Sequence, residues 1–346
     1  MDQIPLAFCE RICEILLPDG IWATRELSGH YGEIACARFR HDCDYQIDVE
    51  DGIEQQVHSY LTHTGEDVQA PEEVEAVTKK FVRRVRISLS DTKKESVSKS
   101  MEIVRRFPFS AYCLALCSSS INEAWVDFAC SLKRLHCLAI TNKLDNDSLR
   151  LFQKLIAGRK LSRLMMFSTA CKDGNLEMLK TLLCQDQFKE LRIRKYAGRW
   201  KHVDGAAVGE LLQFWSENGG EPMKGKSLFV DRCFGGVWQF EQFVLQGVST
   251  ADLGGLKKAL QICSKEECDF LNREYYLNHV AYTKPSCIYK YEDAREGIGR
   301  RRIYVSFECA TQEELSSSGR HFPAGQDGHN DLCLLRSTTY LHIFFA

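Results

Sequence analysis

Between residues 82 and 245 the apolar positions fall into two alternating patterns. Pairs at period two mark short strands: Val85/Ile87, Leu114/Leu116, Leu138/Ile140, Leu164/Met166, Leu191/Ile193 and Leu228/Val230. Stripes at i, i+3, i+6, i+7 mark helices: Leu149/Phe152/Leu155/Ile156, Leu176/Leu179/Leu182/Leu183, Val208/Leu211/Phe214/Trp215 and Val237/Phe240/Phe243/Val244. The two earliest helical segments carry the stripe less fully, at Val97/Ser100/Ile103/Val104 and Ile121/Ala124/Phe128. Asn146 or Asp147, and Asn175, are the residue types that cap helix N-termini. Strand signals recur roughly 24 to 37 residues apart, the period of a one-strand, one-helix repeat. The pattern predicts an α/β fold: a leucine-rich-repeat-like solenoid with a parallel strand layer and outer helices. The asparagine that usually closes such repeats is replaced by Ser90, Ser119, Lys143, Thr169, Tyr196 and Cys233. The solenoid is therefore expected to be irregular, with loops at 200–205 and 219–225.

The flanks read differently. Residues 4–17 form an amphipathic helix with a stripe of Phe8, Ile12, Ile15 and Leu16, stopped by Pro18-Asp19-Gly20. Alternation at 34–39 and 45–49 around a turn-like 41–44 predicts a small antiparallel hairpin. A polar link at 64–71 and a short helix at 72–80 follow. Past residue 245, helices are expected near 250–260 and 265–271. A closing strand pair should then form from 276–282 or 286–291 together with 302–309, with a turn at 297–299. Residues 316–330 are polar, and 341–345 are apolar but out of phase with the repeats, so the end of the chain reads as a loosely packed tail. The segments are 1–20, a helix; 21–80, hairpin and linker; 81–248, repeats; 249–310, a C-terminal cap; and 311–346, a loop-like tail.

Composition narrows the function classes. The chain is 44% hydrophobic and 27% charged with net charge −2, so no bulk basic surface argues for nucleic acid. Apolar runs fall short of the roughly 18 residues of a membrane helix. Asp2, Glu10 and Glu14 interrupt the N-terminal apolar stretch where a secretory signal would be uninterrupted, so an intracellular chain is expected. Its 16 cysteines then read as reduced, small buried hydrophobes rather than as a disulfide framework. The pairs Cys9/Cys13, Cys113/Cys117 and Cys263/Cys268 lack the two-residue spacing of zinc sites, so neither metal nor cofactor is expected. The acidic stretch Asp42–Asp51 with Gly52 misses the spacing of a calcium loop. No nucleophile elbow, zincin or Walker motif occurs, and pairing of His63 with Cys36 or of His136 with Cys137 has only composition behind it. An enzyme is not expected.

Ile4, Pro5, Phe8, Glu10, Ile12 and Leu16 resemble the opening of an F-box. Together with Leu27-Ser28-Gly29-His30-Tyr31-Gly32 and Ile303-Tyr304-Val305-Ser306-Phe307-Glu308-Cys309, the layout over roughly residues 1–310 resembles a nematode-expanded group of F-box-like proteins with leucine-rich-repeat-like domains. The resemblance implies docking of Phe8, Ile12 and Leu16 on a Skp-type adaptor of a cullin-based ubiquitin ligase, with the repeats recruiting a target. The residues by themselves also allow this helix to be a cap on the first repeat.

In such a repeat the side chains between core positions line the concave face. Those positions are Arg84, Arg86, Ser88; Cys113, Ala115, Cys117; Cys137, Ala139, Thr141; Arg163, Met165, Phe167; Glu190, Arg192, Arg194; and Ser227, Phe229, Asp231. Arginine, methionine and phenylalanine are enriched at protein interfaces, which makes Met165, Phe167, Arg192, Arg194 and Phe229 candidate anchors for a protein partner. The same face is open to cover by the N-terminal hairpin or the C-terminal strands.

Overall fold

A computed structural model describes residues 4–16, 21, 24–25, 27–61, 67–68, 81–90, 97–171, 174–195, 206–218, 221–246, 253–275, 277, 280–293, 301–310 and 322–346. The expected segments at 72–80, 200–205 and 297–299 lie outside the described residues. The chain forms two compact units, Met1–Leu161 and Ser162–Ala346.

The first unit opens with helices α1 (Leu6–Ile15) and α2 (His30–His41). They pack through a small cluster of Cys13, Ile21 and Ala35, joined by Leu16, Tyr31, Ile34 and Phe39. Strands β1 (Cys43–Glu50) and β2 (Ile53–Leu61) form an antiparallel hairpin, extended by β3 (Asp67–Val68). Then come β4 (Val82–Leu89), α3 (Val97–Arg106), β5 (Ala111–Leu116), α4 (Glu123–Ser131), β6 (Leu135–Ile140) and α5 (Asn146–Ala157). The strand order is β3-β2-β1-β4-β5-β6, parallel from β1 through β6. One buried row, Ile47–Ile87–Leu114–Leu138, crosses four strands in register. It is the apolar half of the period-two pattern, turned toward the helices.

Two parts of the N-terminal reading are corrected. Residues 34–39 are helical, inside α2, and not the first arm of a hairpin. Tyr31, Ala35 and Phe39 recur at i, i+4, i+8, and that stripe meets α1; the period-two alternation was a coincidence of the same residues. A side chain at Gly32 would lie 1.8 Å from the carbonyl oxygen of Leu27, so only glycine permits this close entry to the helix. The hairpin turn is at Asp51-Gly52, whose φ values of 51° and 73° suit a tight two-residue turn, and not at 41–44.

The second unit comprises β7 (Arg163–Phe167), α6 (Gly174–Leu183), β8 (Glu190–Arg194), α7 (Ala206–Glu217), β9 (Lys226–Asp231) and α8 (Phe234–Leu245), and then α9 (Leu253–Ala259), β10 (Leu260–Ile262), α10 (Lys265–Tyr275), β11 (Ala281–Tyr282), β12 (Ser286–Asp293), β13 (Arg301–Glu308), β14 (Phe322–Pro323) and β15 (Tyr340–Phe345). The main sheet runs β7-β8-β9-β15-β13-β12-β10. It is parallel from β7 to β9 and antiparallel beyond. The expected closing pair is present as β12 and β13. The tail is corrected: residues 340–345 are a buried strand between β9 and β13. Its partners are far away in sequence, so no local period announces it. β11 and β14 pair separately.

The helix stripes are the buried faces: Phe152, Leu155 and Ile156 in α5, Leu176, Leu179, Leu182 and Leu183 in α6, and Val237, Phe240, Phe243 and Val244 in α8. Where an asparagine ladder is missing, other side chains close the turns. The Thr141 hydroxyl donates to the Leu116 carbonyl at 3.0 Å, the Asn142 amide to that of Cys117 at 2.5 Å, and the Asn175 amide to that of Ala170 at 2.5 Å. The α/β character is thus as expected, with parallel strands alternating with helices in both units.

Candidate functional site

In the second unit the sheet has two faces. One meets the helices through Leu164, Leu191, Leu228, Ile343 and Val305, all buried. The other carries Met165, Arg192, Phe229, His342 and Ser306 in one row, and Phe167, Arg194, Asp231 and Tyr340 in the next. From β9 onward this second face is covered. Cys263, Cys268, Leu271, Leu277, Val280 and Tyr282, together with Ala324, close over Phe229, Ile288, Tyr304 and Phe344. On β7 and β8 it is partly open, and there Met165, Phe167, Arg192 and Arg194 stand side by side, each half-exposed.

Phe229, expected as a fifth anchor, is 1% exposed and cannot meet a partner. Strand alternation put it on the right face, but the C-terminal elements cover that end of it. Its role is to support its neighbours. His342 stacks on it at 4.3 Å, and the guanidinium of Arg192 lies over its ring at 4.8 Å. Beneath, the His342 ring sits between the hydroxyls of Ser227 (3.0 Å) and Ser306 (3.3 Å), and Ser306 meets the Tyr282 hydroxyl at 2.6 Å. Such a satisfied buried network is what permits polar groups there at all.

The charges on the open part are arranged by carboxylates at its floor. Glu190 lies 3.4 Å from Arg163 and 3.2 Å from Arg192, and Asp231 lies 3.2 Å from Arg194. Arg192 also donates to the Tyr340 hydroxyl at 3.4 Å, and burial pushes that phenol well above its usual value. Asp231 also lies 3.9 Å from Arg232, so these carboxylates are outnumbered by the arginines around them, with apolar side chains between. Arginine and apolar side chains of these kinds are enriched at protein interfaces.

In the first unit the candidate docking helix α1 is held by Arg83. Its guanidinium donates to the carbonyls of Cys13 (2.9 Å), Glu14 (3.2 Å) and Leu16, which are left open at the helix C-terminus. Glu14 is hydrogen-bonded to Arg11 and Arg38, which hold its carboxyl below the usual range despite some burial. Cys9 and Cys13 turn inward. Phe8 turns out, at 54% exposure, beside exposed Ile4 and Leu6. Ile12 is half-buried, and Leu16 packs on the cluster of α2. Of the three residues of the expected docking stripe, Phe8 is thus exposed, and Ile12 and Leu16 are partly buried.

One surface feature was not singled out from the sequence. Phe234 and Trp238 are exposed one turn apart on α8, at the rim of a cleft of about 370 Å³ with Glu241 and Arg336. Their signal was present, since both lie off the Val237/Phe240/Phe243/Val244 stripe. Among the described residues no group of three or more His, Cys, Asp or Glu is placed to hold a metal ion, and no helix is long and apolar enough to cross a membrane. No disulfide links any of the 16 cysteines. No protein-family model, curated protein or solved structure matches the chain.

Proposed function

We propose that the chain is a non-catalytic protein-interaction scaffold whose strand–helix repeats are of the irregular leucine-rich type, and that the β7–β8 face binds its protein target. The observation that carries this reading is the set of four half-exposed side chains, Met165, Phe167, Arg192 and Arg194, brought into adjacent register positions on two parallel strands. Rigid strands hold such anchors at little entropic cost, which favours binding. In the fuller form of the proposal, α1 presents Phe8 to a Skp-type adaptor, and the scaffold recruits substrates to a cullin-type ubiquitin ligase. The outward Phe8 and the Arg83 clamp on the helix support that form. A plain binding module, with α1 as a cap, is the second reading; it is favoured by Leu16 packing inward.

Co-purification with a Skp adaptor separates the two. Under the ligase reading the parent chain retains the adaptor and Phe8→Asp loses it, while Arg192→Ala with Arg194→Ala retains the adaptor but releases the target. A parent chain that never binds the adaptor removes the ligase link. Targets that bind the double arginine variant as tightly as the parent refute the β7–β8 site.

A further inference from the structure

Two cysteines of the first unit are placed for chemistry with each other. Cys113 on β5 and Cys137 on β6 are register partners on adjacent parallel strands. Both point to the sheet face away from the helices, and both are partly buried but not closed off. Neighbouring strands lie about 4.8 Å apart, inside the roughly 4.4–6.8 Å that a disulfide spans between Cα atoms. The shared register sets the two side chains next to each other on one face, and the Cys137 thiol also donates to the Leu138 carbonyl at 3.6 Å. Arg86 is the register partner of Cys113 on its other side, and its buried Nε has no hydrogen-bond partner among the described residues. The row Arg86–Cys113–Cys137 thus sets a cation beside one thiol and a second thiol beyond it.

We propose that Cys113 and Cys137 form a peroxide-reactive dithiol that closes to a disulfide across β5 and β6. Cys113 is the attacking sulfur. The Cys137 hydrogen bond, and then the Arg86 and Arg84 guanidiniums, hold its thiol below the ordinary value against the opposing effect of burial. Its thiolate attacks one oxygen of hydrogen peroxide, and the O–O bond breaks. The leaving hydroxide takes a proton from solvent and departs as water, leaving Cys113 as a sulfenic acid. Cys137 then gives up its proton and attacks the sulfenic sulfur. The S–O bond breaks, and the departing hydroxide takes a proton to become a second water. Two thiols lose two electrons and one peroxide gains them.

Other cysteines lack this combination. Burial pushes Cys171 and Cys263 up to about 12 and Cys268 to about 11. Cys287 and Cys309 interact with each other, but both are fully buried and closed to peroxide. Cys184 and Cys333 are exposed but have raised values, Cys184 by partial burial and Cys333 mainly by its contact with Asp331. The inference does not depend on the binding function proposed above.

The test uses the reduced full chain. It is treated with a small excess of hydrogen peroxide, quenched with iodoacetamide at intervals, and mapped by tryptic digestion with fragmentation of the linked peptides. The Cys113–Cys137 link should form about tenfold faster than thiols are lost at Cys184 and Cys333. In the Cys137→Ser variant, Cys113 should accumulate as a dimedone-reactive sulfenic acid. The proposal is overturned if Cys113 and Cys137 still alkylate fully after Cys184 and Cys333 have oxidised, or if Cys113 links to Cys117 instead. The parent chain alone supplies these readouts should the variant fold poorly.

Discussion

Arg83 and Asp42 are each only 3% exposed, yet guanidinium and carboxylate approach no closer than 3.7 Å. The rest of the guanidinium is committed to the α1 carbonyls, so it faces Asp42 through Nε alone. Burial therefore outweighs attraction, and Asp42 is pushed up to about 6. The sign follows. The fold holds this proton more tightly than the unfolded chain, so the cost of the charged form appears as pH rises through about 6 and is absent below the unfolded value. On lowering the pH from 7 to 5, the parent should gain about 1 kcal/mol of stability relative to Asp42→Asn. Urea titrations of both proteins at the two pH values measure it, and an unchanged difference between them would refute the assignment. Neither partner was legible in the sequence as part of a helix clamp. Arg83 reads as one of a pair of arginines at the start of the first repeat strand, and what it grips lies roughly 70 residues away. The anchors Met165, Phe167, Arg192 and Arg194 were legible, because strand alternation alone assigns them a face. The burial of Phe229 was not, because the cover comes from another part of the chain.

Elements reported themselves more clearly than residues did. The α5, α6 and α8 stripes fell on the buried faces because period 3.6 is a local property of sequence. Side-chain hydrogen bonds tie the elements to one another. Asn122 accepts from the Trp125 amide at 2.8 Å and caps α4; Ser148, in the first turn of α5, accepts from the buried Ile121 amide at 2.9 Å and so ties one repeat to the next. Asn122→Ala should cost about 1 kcal/mol, the usual loss for a helix cap. Ser148→Ala should cost roughly 1–3 kcal/mol, because it leaves a buried donor with no acceptor. Amide exchange at Ile121, together with urea midpoints, would detect both. Protection at Ile121 that survives Ser148→Ala would mean another group accepts that bond. Helix α2 shows how an element can mislead: its residues satisfy period two and period 3.6 at once, and only contact with Cys13 and Ile21 chooses the helix.

At the scale of the whole molecule, the second unit depends on β15, six residues that pair with β9 on one side and β13 on the other. Leu341, Ile343, Phe344 and Phe345 are all buried there, at about 2 kcal/mol each by transfer. Their sum rivals the whole stability of an ordinary domain. A chain ending before Tyr340 should therefore leave two strand edges bare, lose near-ultraviolet circular dichroism in the second unit and bind a hydrophobic dye. A truncated chain that kept a sharp thermal transition and native dichroism would show that β9 and β13 can close without it.

The sequence by itself determined the α/β class, the alternation of strand and helix from residue 82 to 245, the inward faces of α5, α6 and α8 and the side of the sheet on which each candidate anchor lies. These follow from periodicities of two and 3.6, which need only neighbours in the chain. In α4 the periodicity missed the face, since Ala124 is exposed and Trp125, Val126 and Ala129 are buried. Tertiary structure decided the rest: α2 as a helix, β15 as an internal strand, Phe229 as support and not anchor, Arg83 as the clamp on α1, and Cys113 beside Cys137. Each of these depends on groups brought together across a long loop of chain, and the free energy that selects them is released only when that loop has closed.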